Sequence, residues 1–143
     1  MTTHHKKVLI VEDSPAQALM LQQRLDQEGL QTLWAPDGRI GVAMARQQMP
    51  DVIVLDLEMP EMNGFEACKL LKESDRTANI PIVMLTVRTE PNALMQGIDL
   101  GAIDFIPKDA FSETVLIETL RQLRILDDPQ NGENDEQEAD HSD

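Results

Sequence analysis

Three acids, a hydroxyl and an ammonium stand at the ends of short apolar runs in this chain. Glu12 and Asp13 close Val8-Leu9-Ile10-Val11, and Asp56 closes Val52-Ile53-Val54-Leu55. Thr86 closes Ile82-Val83-Met84-Leu85, and Lys108 follows Phe105-Ile106-Pro107. Two or three carboxylates completed by water make an oxygen ligand set for Mg²⁺. The metal would offset repulsion among the acids, which otherwise raises one of their pKa values. A lysine and a threonine across the cleft can hold phosphoryl oxygens by charge and hydrogen bond. An aspartate beside a divalent cation is a competent nucleophile toward phosphorus. These residues therefore read as a site for Mg²⁺-assisted phosphorylation of Asp56.

Such a site needs elements that bring the run ends together. Runs of β-branched and aliphatic residues without alternation predict parallel strands buried on both faces. Their C-terminal ends are where open α/β sheets place ligands. Five such runs alternate with five amphipathic segments, which predicts an α/β fold with a doubly wound, five-stranded parallel sheet. The strands are expected over Lys7–Val11, Gln31–Ala35, Val52–Leu55, Ile82–Leu85 and Asp104–Ile106. Ser14-Pro15 opens the first helix, with Ala18, Leu21 and Leu25 as its buried stripe and Gly29 as its end. Asp37-Gly38 opens the second, which stops before Pro50, and the third runs from about Phe65 to Glu73 after a Met59–Gly64 loop. The fourth spans about Ala93 to Leu100, weakened by Gly97. Ser112 with Thr114 is expected to cap the fifth, whose stripe is Leu116, Leu120 and Leu123.

The chain has 143 residues, enough for one domain with one core. Aromatics make up only 3% of it, so the core must be aliphatic. The net charge of −14 is unevenly spread. Residues 127–143 hold eight acids and no Lys or Arg, which leaves −6 for residues 1–126. The organisation expected is a domain over 6–126 and a disordered acidic extension over 127–143. Neither part clusters the cations that a nucleic-acid backbone requires. No stretch nears the roughly 20 apolar residues that span a bilayer. One cysteine, Cys68, forms no internal disulfide, and the N-terminus lacks a signal-peptide pattern, so a cytoplasmic location is expected.

These segments together resemble the bacterial two-component response-regulator receiver domain, the family that includes the chemotaxis response regulator. Val8–Ser14 is similar to its first strand and acidic pair, and Asp51–Pro60 with Asn63-Gly64 to its phosphoacceptor segment. Pro81–Thr86 resembles the strand with the switch hydroxyl, and Gly101–Lys108 the segment with the switch aromatic and the lysine. The resemblance covers about residues 6–126 and implies a flavodoxin-like fold. It implies that Asp56 accepts phosphate from a histidine kinase or histidine phosphotransfer protein, and that Glu12, Asp13, Asp56 and the carbonyl of Glu58 bind Mg²⁺. Lys108 would pair with the phosphoryl group, while Thr86 moves toward it and Phe105 turns inward. Output would pass through the face of helix four, strand five and helix five to a protein target, or the phosphate would be relayed. The domain would promote its own phosphorylation and dephosphorylation without being an enzyme in the ordinary sense.

Three positions depart from the family pattern. Asp109 follows Lys108 where the family commonly has Pro, Val87 follows Thr86 where a smaller residue is usual, and Glu58 flanks the path of attacking water. They are expected to alter the lifetime of the phosphorylated state. Taken singly, each site residue has a plain explanation as a loop cap, a surface cation or a core aromatic; their joint occurrence carries the reading. A phosphorylation-independent interaction domain of the same fold is the alternative. A haloacid-dehalogenase-type phosphatase fits less well, since Glu58 stands where a second Asp is needed and no substrate-covering cap is present.

Overall fold

The computed structural model describes residues 5–59 and 62–127. Pro60 and Glu61 of the expected loop, and the acidic extension beyond Asp127, lie outside the described residues. Five strands alternate with five helices: β1 (Lys7–Val11), α1 (Pro15–Gln27), β2 (Gln31–Ala35), α2 (Gly38–Gln48), β3 (Val52–Leu55), α3 (Gly64–Glu73), β4 (Ile82–Thr86), α4 (Pro91–Asp99), β5 (Asp104–Pro107) and α5 (Ser112–Gln122). All strand pairs are parallel and the sheet order is β2-β1-β3-β4-β5. This is the doubly wound parallel sheet that the apolar runs predict, in the flavodoxin-like order that the resemblance implies.

The order places β1 between β2 and β3, so the chain leaves β1 in one direction and β3 in the other. A crevice opens where such connections diverge, at the carboxyl ends of the strands. Val11 pairs with Leu55 in register, which puts Glu12 and Asp56 side by side just past the pair. β3 and β4 are buried along their whole length, as their unalternating sequences require. Their residues feed two cores, one on each sheet face. Leu9, Ile53, Leu55, Ile82 and Met84 pack on the side of α2, α3 and α4. Val8, Ile10, Val52, Val54, Val83 and Ile106 pack on the side of α1 and α5.

The helix starts follow the sequence with two differences. Ser14 accepts from the Gln17 amide and Pro15 takes the first helical position of α1, and Asp37 caps α2. α5 has no side-chain cap: Ser112 is its first helical residue. Asp109 instead braces the turn that leads into the helix, its carboxylate accepting from the Phe111 amide at 2.8 Å and its carbonyl from the Ser112 amide at 3.2 Å. The second difference is α4, which begins at Pro91 and packs through Gly97. A Cβ at Gly97 would lie 3.0 Å from Met84 Sδ and 3.2 Å from the Phe105 ring. The glycine that weakens the helix is what lets it lie against β4 and β5.

Candidate functional site

Glu12 is fixed from four directions. Its amide donates to Ala35 and its carbonyl accepts from the Trp34 indole at 2.7 Å, tying the β1–α1 loop to β2. One carboxylate oxygen accepts from the Ser14 amide at 3.1 Å, and the other from Lys108 Nζ at 2.6 Å. Asp56 is held just as closely. Its amide donates to Val11, Oδ1 accepts from the Glu58 amide at 3.2 Å, and Oδ2 accepts from Lys108 Nζ at 3.1 Å. α3 starts hard against this turn, and a Cβ at Gly64 would lie 2.5 Å from the Asp56 carbonyl oxygen. The start is locked by a capping box in which Asn63 and Glu66 each accept from the other's amide.

Glu12, Asp13 and Asp56 each offer a carboxylate oxygen, and these lie within 4.8 Å of one another. Glu12 and Asp56 are buried whereas Asp13 is exposed, so the cluster faces solvent through one member. Lys108 reaches it from beyond β5 and also bonds Gln17 Oε1 at 2.7 Å. Burial pushes the Glu12 carboxyl above its ordinary pKa; the bonds from Lys108 and Ser14 pull it back in part, and the charge of Asp56 pushes it up again. Burial works against the charge on Lys108, but Glu12 and Asp56 outweigh it and raise the ammonium pKa. The lysine therefore stays charged among carboxylates that strain against their own proximity.

Thr86 is fully buried at the end of β4; its hydroxyl accepts from the Arg88 amide at 3.1 Å and its carbonyl from the Lys108 amide at 2.8 Å. Phe105 is half-buried against the core on the α4 side. Glu58 is exposed, 3.8 Å from Arg88 Nε, and Val87 is 65% exposed beside the cleft. Arg88 also lies 6.0 Å above the Phe65 ring, bridging the loops after β3 and β4. Asp109 does not pair with Lys108 but braces the next turn. A groove of about 580 Å³ runs from Lys108 and Gln17 past Met20 and Val87.

Two residues that hold the site were not singled out from sequence. Gln17 stands three residues after the Ser14 cap, on the first turn facing the cleft, and that spacing was its signal. Trp34 is the chain's one tryptophan, and a buried indole N–H needs an acceptor; that the acceptor is the Glu12 carbonyl follows only from the β1–β2 pairing.

Residues 8–121 match the family described as the response regulator receiver domain. The chain belongs to the response-regulator receiver family. It is 38% identical over 110 residues to the protein PilH of Pseudomonas aeruginosa, which covers 77% of this chain and 91% of PilH. It is 37% identical over 121 residues to RpaA of Synechocystis sp., a DNA-binding transcriptional regulator, covering 85% of this chain but half of RpaA. Among solved structures, the chemotaxis protein CheY4 of Vibrio cholerae superposes with a TM-score of 0.78 at 34% identity, over 84% of this chain and 99% of that one. The receiver relationship makes the chain a response-regulator protein of two-component signalling. Among the described residues, no helix is long and apolar enough to cross a membrane.

Proposed function

We propose that Asp56 is the phosphoacceptor of this receiver and that Glu12, Asp13, Asp56 and the carbonyl of Glu58 hold Mg²⁺ beside it. One observation carries the reading: three carboxylates whose oxygens lie within 4.8 Å of each other, two of them buried and bonded to one lysine. The donor set is all oxygen, which suits a hard divalent cation. Bound there, the cation would screen the charge that accumulates between phosphate and carboxylates.

The chain's own groups do the rest. A carboxylate oxygen of Asp56 attacks phosphorus, forming the O–P bond of an acyl phosphate as the bond to the donor's histidine nitrogen breaks. Lys108 stands 3.1 Å from Asp56 and holds the transferred oxygens by charge. Hydrolysis returns the carboxylate when water attacks phosphorus, along a path flanked by Glu58 and Arg88. Thr86 is the hydroxyl that follows the phosphate, and Phe105, against Gly97, is the aromatic that responds. The added charge of about −1.5 to −2 biases this pair of states. The donor is a histidine kinase or histidine phosphotransfer protein, and the output a docked protein target or onward relay. Residues 6–126 form the receiver unit and 127–143 an acidic extension, in a cytoplasmic protein.

The test is incubation with acetyl phosphate, with and without Mg²⁺, read by intact mass and by decay of the adduct. One phosphoryl adduct is expected, absent without Mg²⁺ and absent in Asp56→Asn. An adduct that persists in Asp56→Asn would sink the assignment. No adduct in the wild type, with Mg²⁺ binding demonstrated, would make the domain a phosphorylation-independent docking module.

A further inference from the structure

At the opposite end of the sheet from Asp56, the C-terminus of α5 meets the turn between α1 and β2 around a pocket of about 320 Å³. Lys6, Arg121 and Arg124 line it with His5, three cations in a chain whose net charge is −14. Its carboxylates are Glu28 and Asp127, and Glu28 is already shared between Arg24 and Arg121. Among the described residues, no carboxylate oxygen lies within 4.0 Å of Lys6 or Arg124, and Arg121 Nε is buried with no hydrogen-bond partner. A buried N–H without an acceptor is costly and rare in native proteins.

Leu126 and Asp127, the last described residues, are themselves part of the pocket wall. The sixteen residues that follow contain seven acids and no Lys or Arg. Extended, they reach at most about 55 Å, and the segment departs from the wall of this pocket, beside Lys6 and Arg124. A short tether of this kind gives an effective concentration on the order of millimolar. Exposed ion pairs are weak one at a time, but several acids on one tether meeting unpartnered cations need little affinity each.

We propose that the acidic segment 128–143 docks on this pocket, its carboxylates pairing with Lys6 and Arg124. The segment is thereby held at the amino ends of the strands. Its charge stays away from the cleft of Glu12, Asp13 and Asp56, where it would repel an incoming phosphoryl group.

Carbodiimide coupling of the full chain at low protein concentration and low salt, mapped by peptide mass spectrometry, tests this directly. Amide links within one chain are expected from Lys6 to Glu133, Asp135, Glu136 or Glu138, in at least fivefold excess over links from the remote Lys69. They should fall severalfold in about 0.5 M salt, which screens such pairs, and in Arg124→Gln. A full-length variant carrying Glu133→Gln, Asp135→Asn, Glu136→Gln and Glu138→Gln should unfold about 3 °C lower at low salt, with no difference at high salt. Equal linkage of Lys6 and Lys69, links found only between chains, or an unfolding midpoint that is unchanged or raised in the neutralised variant each overturn the proposal.

Discussion

The two ends of the sheet carry the same charge types in opposite arrangement. At the carboxyl ends one ammonium, Lys108, stands between two acids; its side chain is 17% exposed, and those of Glu12 and Asp56 are 9% and 6%. At the amino ends one acid, Glu28, stands between two guanidinium groups, and the three side chains are 24% to 33% exposed. Burial is the difference that matters. Taking charges out of water is costly, and a buried pair compensates only while every member is present. The first cluster is thus poised to gain from a cation or a phosphoryl group, whereas the second behaves as a surface ion network worth little to stability.

The sharpest way to break this contrast is Lys108→Met. It leaves Glu12 and Asp56 facing each other without a cation, and removal of one partner of a buried pair typically costs about 3 kcal/mol. The expected result is a loss of about 2–3 kcal/mol in urea unfolding without metal, partly recovered by Mg²⁺, and near-complete loss of adduct formation from acetyl phosphate. The wild type supplies the matching pH dependence. The folded-state pKa of Lys108 is raised above 10.5, so its contribution to stability is fully present below 10.5 and is lost as pH rises through the folded value. Lys108→Met removes that alkaline slope.

Glu12→Gln probes the same end more gently. The amide keeps an acceptor for the Ser14 N–H and removes the repulsion from Asp56, but it gives up the ion pair with Lys108. These terms oppose one another, so the metal-free stability should change by less than about 1 kcal/mol, while Mg²⁺ affinity falls by tenfold or more. The pKa of Glu12 is raised above 4.5, so the folded state binds more protons than the unfolded chain between 4.5 and the folded value. Stability therefore declines as pH rises through that window. Mg²⁺ affinity runs the other way and weakens as pH falls through it, because the metal must displace the proton. Titrations of wild type and Glu12→Gln across this range should show both slopes in the first and neither in the second.

Most of the carboxyl end was legible because its signals are local. Buried parallel strands announce themselves as unbroken apolar runs, and a polar residue that ends such a run is placed by the fold at one edge of the sheet. Ser14-Pro15 and Asp37-Gly38 read as helix starts for the same reason, since the cap and the first turn are neighbours in sequence. What escaped depended on partners far along the chain. Trp34 holds Glu12 across the β1–β2 pair, and Lys108 meets Gln17 across 91 residues. Gly97 looked like a defect because the Phe105 ring that needs its space belongs to the next strand. At α5 the expected cap failed because Ser112 already lies inside the helix, with Phe111 at the capping position. The amino end gave no comparable signal: its cations come from the start of β1 and the end of α5, and only the closing of the sheet brings them together.

The comparison predicts its smallest effect at Glu28→Gln. The neutral side chain keeps an acceptor for Arg24 while surrendering the charge that draws Arg121, at 3.7 Å, across from α5. Both partners stay partly hydrated, so the cost should be at most about 0.5–1 kcal/mol. Solvent-exposed charges are screened within about 10 Å at 0.1 M salt, so the cost should vanish as salt is raised. Phosphorylation of Asp56, at the other end of the strands, should proceed at the wild-type rate. A loss larger than about 2 kcal/mol that resists salt would instead mean that Glu28 is buried in effect and that the two ends differ less than their exposures indicate. In that case the α1–α5 seam, and not the cleft alone, would hold charge under strain.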